Sequence, residues 1–230
     1  MSQNVFFDTN IIIGYSLKLD PWHYFSKRLL NKFNNIYWSK TVEEEAKYKI
    51  NNLLEHYERF FIDIVNNLNQ EIIYKNEFLA LVKEIKYIAN KKVPFNQLKL
   101  AEILWEDGGW YEYVSSNILS SFIYDKIEEL YSDVAKSFNK IQFLLKLHIR
   151  YKQYLILLDN LKNLSISGIN HSIHSPDDYI LLDAHDLALK INEDIIFISS
   201  DIKLLDFKEK IVEITKITSM YFIEDAFYIK

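Results

Sequence analysis

Two apolar runs, one near each end of the chain, stop at an aspartate. The run "VFF" at 5–7 precedes Asp8, and the run "IIFISS" at 195–200 precedes Asp201. Fully apolar, β-branched and aromatic runs are typical of strands buried on both faces of a parallel sheet. Because ligands of open parallel sheets bind outside the carboxyl ends of the strands, we expect both aspartates to face one crevice. The structural alternative is that Asp8 only caps the next helix and that Asp201 only ends its strand in a turn.

The chain between these runs has a helical pattern. With four Gly and three Pro in 230 residues, long helices and few tight turns are expected. Apolar residues recur at a spacing of three and four from about 41 to 163, where no strand alternation is evident. Shorter helices are predicted at 20–33 and 176–191. A further strand is predicted at "IYWS", 36–39, and "KIVEIT" and "MYFI" are expected to supply one more short strand near the end.

Composition excludes several classes of protein. There is no Cys, which rules out disulfides and thiolate metal sites. No apolar stretch reaches the roughly 20 residues of a membrane span, and the start lacks the features of a signal peptide. We therefore expect a cytoplasmic protein with no membrane partner. The net charge of -5 shows no overall basic footprint, so binding to nucleic acid would need a local patch or a metal ion.

Two further acidic segments supply candidate ligands for the same crevice. Only one glutamate of the run 43–45 can face it, and Glu45 is the best candidate. In "SPDDYILL" the candidate is Asp178 or Asp177, in the first turn of a helix. Four carboxylates in one crevice cannot all ionise without a cation. Hard oxygen ligands select Mg²⁺ or Mn²⁺, and such a site can activate water and clamp a phosphodiester.

The four segments "VFFDTNIII", "SKTVEEEA", "SPDDYILLDAHDLAL" and "DIIFISSDIKLL" together resemble the PIN-domain ribonuclease family. The resemblance covers about 1–50 and 172–225. It implies a three-layer α/β/α parallel sheet, a cluster of four acidic residues, dependence on a divalent metal, and hydrolysis of RNA. The predicted function is therefore a metal-dependent endoribonuclease with Mg²⁺ or Mn²⁺ as cofactor and RNA as substrate.

The resemblance also assigns roles to individual residues. The catalytic acids and metal ligands are Asp8, Glu45, Asp178 and Asp201. Residues expected around them or as further ligands are Asn10, Asp177, Asp183 and Ser199. Asp183 stands where many members have a small apolar residue, so it could be a fifth ligand or could disturb the site. The alternative for Asp183 and Asp186 is an exposed charge on a helix face.

A long insertion separates the second and third acidic segments. Residues 1–50 and 166–230 are predicted to form the PIN-like core, and 51–165 an all-helical insertion packed on it. Such an insertion would shape the groove for RNA. An antitoxin-like or other protein partner and a homodimer are further partners that this interpretation allows. The alternative function is a catalytically inactive PIN-like module that docks protein or RNA through the insertion, but the four filled acidic positions favour the enzyme.

Basic residues could bind phosphates of the substrate. If 136–152 is one helix, four basic side chains fall within an arc of roughly 120°. They are Lys136, Lys140, Lys146 and Arg150. His171 and His174 flank the third acidic segment and could touch a phosphate. A solvated helix face and loop histidines without a role are the alternatives.

Overall fold

The computed structural model describes residues 3–89, 97–165 and 171–229. The strands in this part of the chain are β1 (Asn4–Phe7), β2 (Asn35–Ser39), β3 (Ile72–Tyr74), β4 (Tyr113–Ser115), β5 (Lys146–His148), β6 (Ile195–Ser199) and β7 (Ser219–Phe222). The helices are α1 (Thr9–Ser16), α2 (His23–Lys32), α3 (Lys40–Asn66), α4 (Lys75–Ala89), α5 (Gln97–Asp107), α6 (Ser116–Leu144), α7 (Leu155–Lys162), α8 (Asp177–Ile191), α9 (Ile202–Leu205) and α10 (Lys208–Ile214). A short 3-10 helix covers Asp225–Tyr228.

The chain divides into two compact units. One comprises residues 1–50 and 134–230, and the other comprises residues 51–133. The first unit therefore includes residues 134–165, which the sequence analysis assigns to the insertion. Across the three described ranges, no helix is both long enough and apolar enough to cross a membrane.

The unit formed by 1–50 and 134–230 is built on a five-stranded parallel sheet. Its strand order is β5-β2-β1-β6-β7, and every pairing between neighbours is parallel. The chain first adds strands on one side of β1 and then crosses to β6 on the other side. The carboxyl ends of β1 and β6 therefore flank the point where the strand order reverses, which is where open α/β sheets bind ligands.

Burial of the central strands explains why the two apolar runs form the middle of this sheet. All four residues of β1 are buried, and the rings of Phe6 and Phe197 stack with centroids 5.8 Å apart. Burying one such side chain contributes about 1.5–3 kcal/mol. Helices α1 and α8 both contact β6. The predicted α/β class, a parallel sheet flanked by helices, is confirmed.

The unit formed by 51–133 contains a small sheet as well as helices. Strands β3 and β4 pair antiparallel, with Ile73 opposite Val114. Its core includes Trp105, whose ring lies 5.5 Å from that of Phe78 and 5.4 Å from that of Trp110. The prediction of an all-helical insertion is therefore wrong in one respect. Strands of three residues are too short to show an alternating pattern.

The condition on which the basic stripe depends, one helix over 136–152, is not met. Helix α6 ends at Leu144, and β5 then pairs with β2, with Lys146 opposite Tyr37. Leu145 is buried at this break, so pairing and burial here override the helical pattern. The one further strand expected near the end is β7, which includes most of "MYFI", whereas "KIVEIT" lies almost entirely in α10.

Candidate acidic site

Asp8 lies at the carboxyl end of β1, and its side chain is 2% exposed. Its Oδ1 accepts a hydrogen bond of 2.7 Å from the backbone N–H of Thr9, which caps α1. Its Oδ2 accepts a hydrogen bond of 2.5 Å from the hydroxyl of Ser199. Burial raises the pKa of Asp8 to about 6, although both hydrogen bonds lower it. Asp8 therefore both caps α1 and lies at the carboxyl end of a central strand, so the two alternatives given for it do not exclude each other.

Glu45 is the member of the acidic run that adjoins Asp8. Its Oε2 accepts a short hydrogen bond from the hydroxyl of Thr9. Its Oε1 lies 2.6 Å from Nζ of Lys49, one helical turn further along α3. The charge of Glu45 helps to raise the pKa of Asp8. Thr9 thus bridges the two carboxylates, through its backbone to one and its hydroxyl to the other.

The other two glutamates of the run have different surroundings. The side chain of Glu44 is 68% exposed. Glu43 is buried and accepts hydrogen bonds from Lys40, Lys47 and Gln142. Burial alone would raise the pKa of Glu43, but these donors outweigh it and lower the pKa to about 2. Glu43 is therefore held in place as a charged structural group.

The third acidic segment contributes Asp177. Burial, together with the charges of Asp8, Glu45 and Asp201, raises the pKa of Asp177 to about 7. The side chain of Asp178 is fully buried instead, with Oδ1 accepting from the N–H of Tyr179 at 2.8 Å. Nζ of Lys162 lies 3.7 Å from its Oδ2, which is an ion pair too long for a hydrogen bond. The structure brings Asp177 to the other acids, and it places Asp178 against Lys162.

Asp201 completes the group from the end of β6. Its backbone N–H donates to the hydroxyl oxygen of Ser199 at 2.9 Å. Its Oδ1 accepts from the N–H groups of Lys203 at 2.8 Å and Leu204 at 3.3 Å, which caps α9. We call Asp8, Glu45, Asp177 and Asp201 the acidic cluster.

One cation lies among these carboxylates. Burial alone would lower the pKa of Lys49, but its hydrogen bond to Glu45 and the charges of Glu45, Asp8 and Asp177 outweigh that effect and raise it. In turn, Lys49 lowers the pKa of Asp8 and of Asp177. Sequence reasoning missed this residue. Its spacing of four from Glu45 on a helix is the signal that could have found it.

The acidic cluster suits a hard cation by the chemistry of its donors. Carboxylate oxygens are the ligands that Mg²⁺ and Mn²⁺ prefer. Burial is the largest cause of the raised pKa values of Asp8 and Asp177, and the charges of neighbouring carboxylates add to it. As the side chains stand, no group of three or more acidic or histidine residues in the described ranges is arranged to hold a metal ion. Oxygens of Asp8, Glu45 and Asp201 instead face backbone N–H groups, hydroxyls and an ammonium group.

The alternative that Asp183 and Asp186 are exposed charges on a helix face is wrong. Asp183 is 2% exposed and accepts a hydrogen bond of 2.6 Å from Nε of Arg150. Asp186 contacts Nε2 of His148 at 3.0 Å and accepts from the hydroxyl of Tyr154 at 2.6 Å. These contacts tie β5 and the segment that follows it to α8.

The predicted phosphate-binding residues do not form one stripe. Lys136 and Lys140 are exposed on α6, whereas Lys146 donates to Asn35 and Arg150 binds Asp183. His171 contacts the backbone oxygen of Lys203 at 3.0 Å. His174 is exposed and lies 3.2 Å from the hydroxyl of Ser172. Asn10 is half-buried in the first turn of α1.

Comparison of the chain with protein-family models, with curated proteins and with solved structures gave no match.

Proposed function

We propose that the protein is a PIN-like endoribonuclease that hydrolyses RNA phosphodiester bonds with Mg²⁺ or Mn²⁺. The observation that carries this proposal is the convergence of Asp8, Glu45, Asp177 and Asp201. They come from four separate segments and couple at the point where the strand order of the sheet reverses. The order of the acidic segments in the sequence, which resembles PIN-domain ribonucleases, supports RNA as the substrate.

The acidic cluster would hold the metal ion. Once bound, Mg²⁺ or Mn²⁺ supplies a polarised water and neutralises charge on the phosphodiester. The contribution of the protein is to hold the carboxylates of the acidic cluster near one another. Thr9 holds Asp8 and Glu45 together, and Ser199 holds Asp8 beside the backbone of Asp201. Carboxylates that are held in this way lose little conformational freedom when the substrate binds.

The test is cleavage of end-labelled RNA in the presence of Mn²⁺. We expect the wild type to cut and Asp8→Asn, Asp177→Asn and Asp201→Asn to lose at least about a hundredfold in rate, a loss comparable to removing a key group from other catalytic sites. Glu44→Gln is the matched control, because it removes an exposed carboxylate from the same helix as Glu45. Equal cleavage by the wild type and all three variants would contradict the proposal.

A second candidate function is supported by the position of Lys49. Its ammonium already offsets charge in the acidic cluster without any metal. This is what a catalytically inactive binding or regulatory module of PIN-like fold would need. Titration calorimetry with Mn²⁺ separates the two functions, since the enzyme requires measurable binding that Asp8→Asn abolishes.

A further inference from the structure

We propose that Lys49 is the resident counter-cation of the acidic cluster, and that its ammonium group must leave Glu45 before a divalent cation can bind. A divalent ion and Lys49 would then compete for the same carboxylates. The metal-binding part of this inference rests on the proposed function. The counter-cation role itself does not, and it can be tested without any metal.

The first step is that Lys49 is the partner that can move. Asp8 is held by a backbone N–H and by the buried hydroxyl of Ser199. Asp201 is held by two backbone N–H groups. The side chain of Lys49 is 44% exposed, so its ammonium can swing into solvent without breaking a helix cap or a strand pairing. Of the cluster oxygens that already accept a hydrogen bond or an ion pair, Glu45 Oε1 is therefore the one that can be freed most easily.

The second step is that Lys49 acts on more than its neighbour on the helix. An ordinary ion pair at a spacing of four on an exposed helix contributes only about 0.3–0.5 kcal/mol and involves two residues. Lys49 interacts with Glu45 and also with the charges of Asp8 and Asp177, which come from two other segments. Its charge therefore bears on most of the acidic cluster.

The third step concerns the effect on metal affinity. A bound divalent ion placed beside an ammonium group is repelled, and moving the ammonium away gives up its contact of 2.6 Å with Glu45. Both effects weaken metal binding in the wild type. Replacing Lys49 by the uncharged and similarly long methionine removes both.

The experiment is titration calorimetry of Mn²⁺ into the wild type, Lys49→Met and Lys47→Met. Lys47 is the matched control, because it lies on the same helix, is 49% exposed and pairs with Glu43 at 2.7 Å, also four residues earlier. We expect Lys49→Met to bind Mn²⁺ about tenfold more tightly than the wild type and Lys47→Met to match the wild type. Binding by Lys49→Met that is unchanged or weaker than that of the wild type would overturn the proposal.

If the wild type binds no Mn²⁺, two results remain informative. Binding gained only in Lys49→Met supports the counter-cation role. If no variant binds, the proposed metal-dependent function fails, and a double-mutant cycle of Lys49→Met with Asp177→Asn then tests Lys49 by urea unfolding at pH 8. A favourable coupling between these two residues supports the role, provided that Lys47→Met with Asp177→Asn shows none. Additive effects in the Lys49 cycle would overturn it.

Discussion

The hydroxyl of Ser199 donates a hydrogen bond of 2.5 Å to Oδ2 of Asp8, although the two residues are 191 positions apart in the chain. The same hydroxyl oxygen accepts from the backbone N–H of Asp201 at 2.9 Å. Ser199 therefore links the carboxyl ends of two neighbouring strands, β1 and β6. This link ties the carboxylate of Asp8 to the backbone of Asp201, the first and last residues of the acidic cluster.

Removing this link should destabilise the protein in a pH-dependent way. Ser199→Ala leaves Oδ2 of the buried Asp8 without its donor, which costs about 1–3 kcal/mol in the free energy of unfolding. Because the hydrogen bond from Ser199 lowers the pKa of Asp8, its loss should raise that pKa further. We expect the cost to be greater at pH 8, where Asp8 is ionised, than at pH 5, as measured by urea unfolding.

Ser39→Ala provides the control for this prediction. Ser39 is also fully buried at the end of a strand, and its hydroxyl oxygen accepts from the backbone N–H of Val42 at 3.2 Å. We expect Ser39→Ala to lower stability by a similar amount at both pH values. A pH-independent cost for Ser199→Ala would show that its hydroxyl does not stabilise the charged form of Asp8.

The acidic cluster should make the metal-free protein less stable as the pH rises. The pKa of Asp177 is about 7, above its ordinary value of 3.8. A carboxyl group with a raised pKa contributes stability that is complete below about pH 4 and is lost as the pH rises through about 7. Asn resembles the neutral form, so Asp177→Asn should be more stable than the wild type by roughly 1–3 kcal/mol at pH 8.

The advantage of Asp177→Asn should disappear near pH 4, where the wild-type carboxyl is also neutral. Thermal unfolding from pH 4 to 8, with a chelator present, measures both limits in one series. A stability difference of the same size at pH 4 and pH 8 would mean that the substitution acts through packing and not through charge.

Glu43 and Glu45 should respond differently to loss of charge, despite being two residues apart. The pKa of Glu43 is lowered to about 2, so its charge stabilises the fold above about pH 4.5 and this stability is lost as the pH falls towards 2. Glu43→Gln should therefore lower stability at pH 7 by about 1–3 kcal/mol. The difference from the wild type should shrink below pH 4.5.

The same pair of variants separates structure from metal binding. We expect Glu43→Gln to keep the Mn²⁺ affinity of the wild type in titration calorimetry. Glu45→Gln should lose at least about tenfold in Mn²⁺ affinity. Even residues that contact a metal ligand, and not the metal itself, change metal affinity by that amount when they are replaced. If Glu43→Gln loses Mn²⁺ binding and Glu45→Gln retains it, then the assignment of Glu45 to the acidic cluster is wrong.

The central strands could be predicted because local pattern and final burial agree. The segments of β1, β2 and β6 are mostly apolar and mostly buried in the sheet, so the tertiary structure agrees with their local preference. Strand β5 is different. Its residues continue the helical pattern of α6, and they become a strand only because β2 offers an edge for pairing.

The acidic site could be predicted only in part. A residue at a strand end, such as Asp8, is positioned by the sheet topology alone. The choice between Asp177 and Asp178 depends on how the first turn of α8 is rotated, which composition and spacing do not determine. Lys49 was missed because an ion pair at a spacing of four on a helix is usually a surface feature, and its other charge partners come from distant segments.

The packing of α1 against α2 depends on the absence of a side chain at Gly14. A Cβ atom at this position would lie 2.5 Å from Oγ of Ser26 and 3.2 Å from Cβ of Trp22. Ser26 is fully buried on α2, so its hydroxyl has little room to move. Two effects of Gly14→Ala therefore oppose each other. Ala is favoured over Gly in a helix by about 1 kcal/mol, whereas overpacking costs about 1–3 kcal/mol.

We expect the overpacking to dominate, so that Gly14→Ala lowers the free energy of unfolding in urea. Ser26→Ala is the diagnostic partner, because it removes the atom that the new Cβ would meet first. Its hydroxyl oxygen is buried without a hydrogen-bond partner among the described residues, so its removal should itself be close to neutral. In the Ser26→Ala background, Gly14→Ala should cost much less, since the shortest contact of the new Cβ atom is then removed. If Gly14→Ala costs the same with and without the Ser26 hydroxyl, then this close approach does not limit how near the two helices pack.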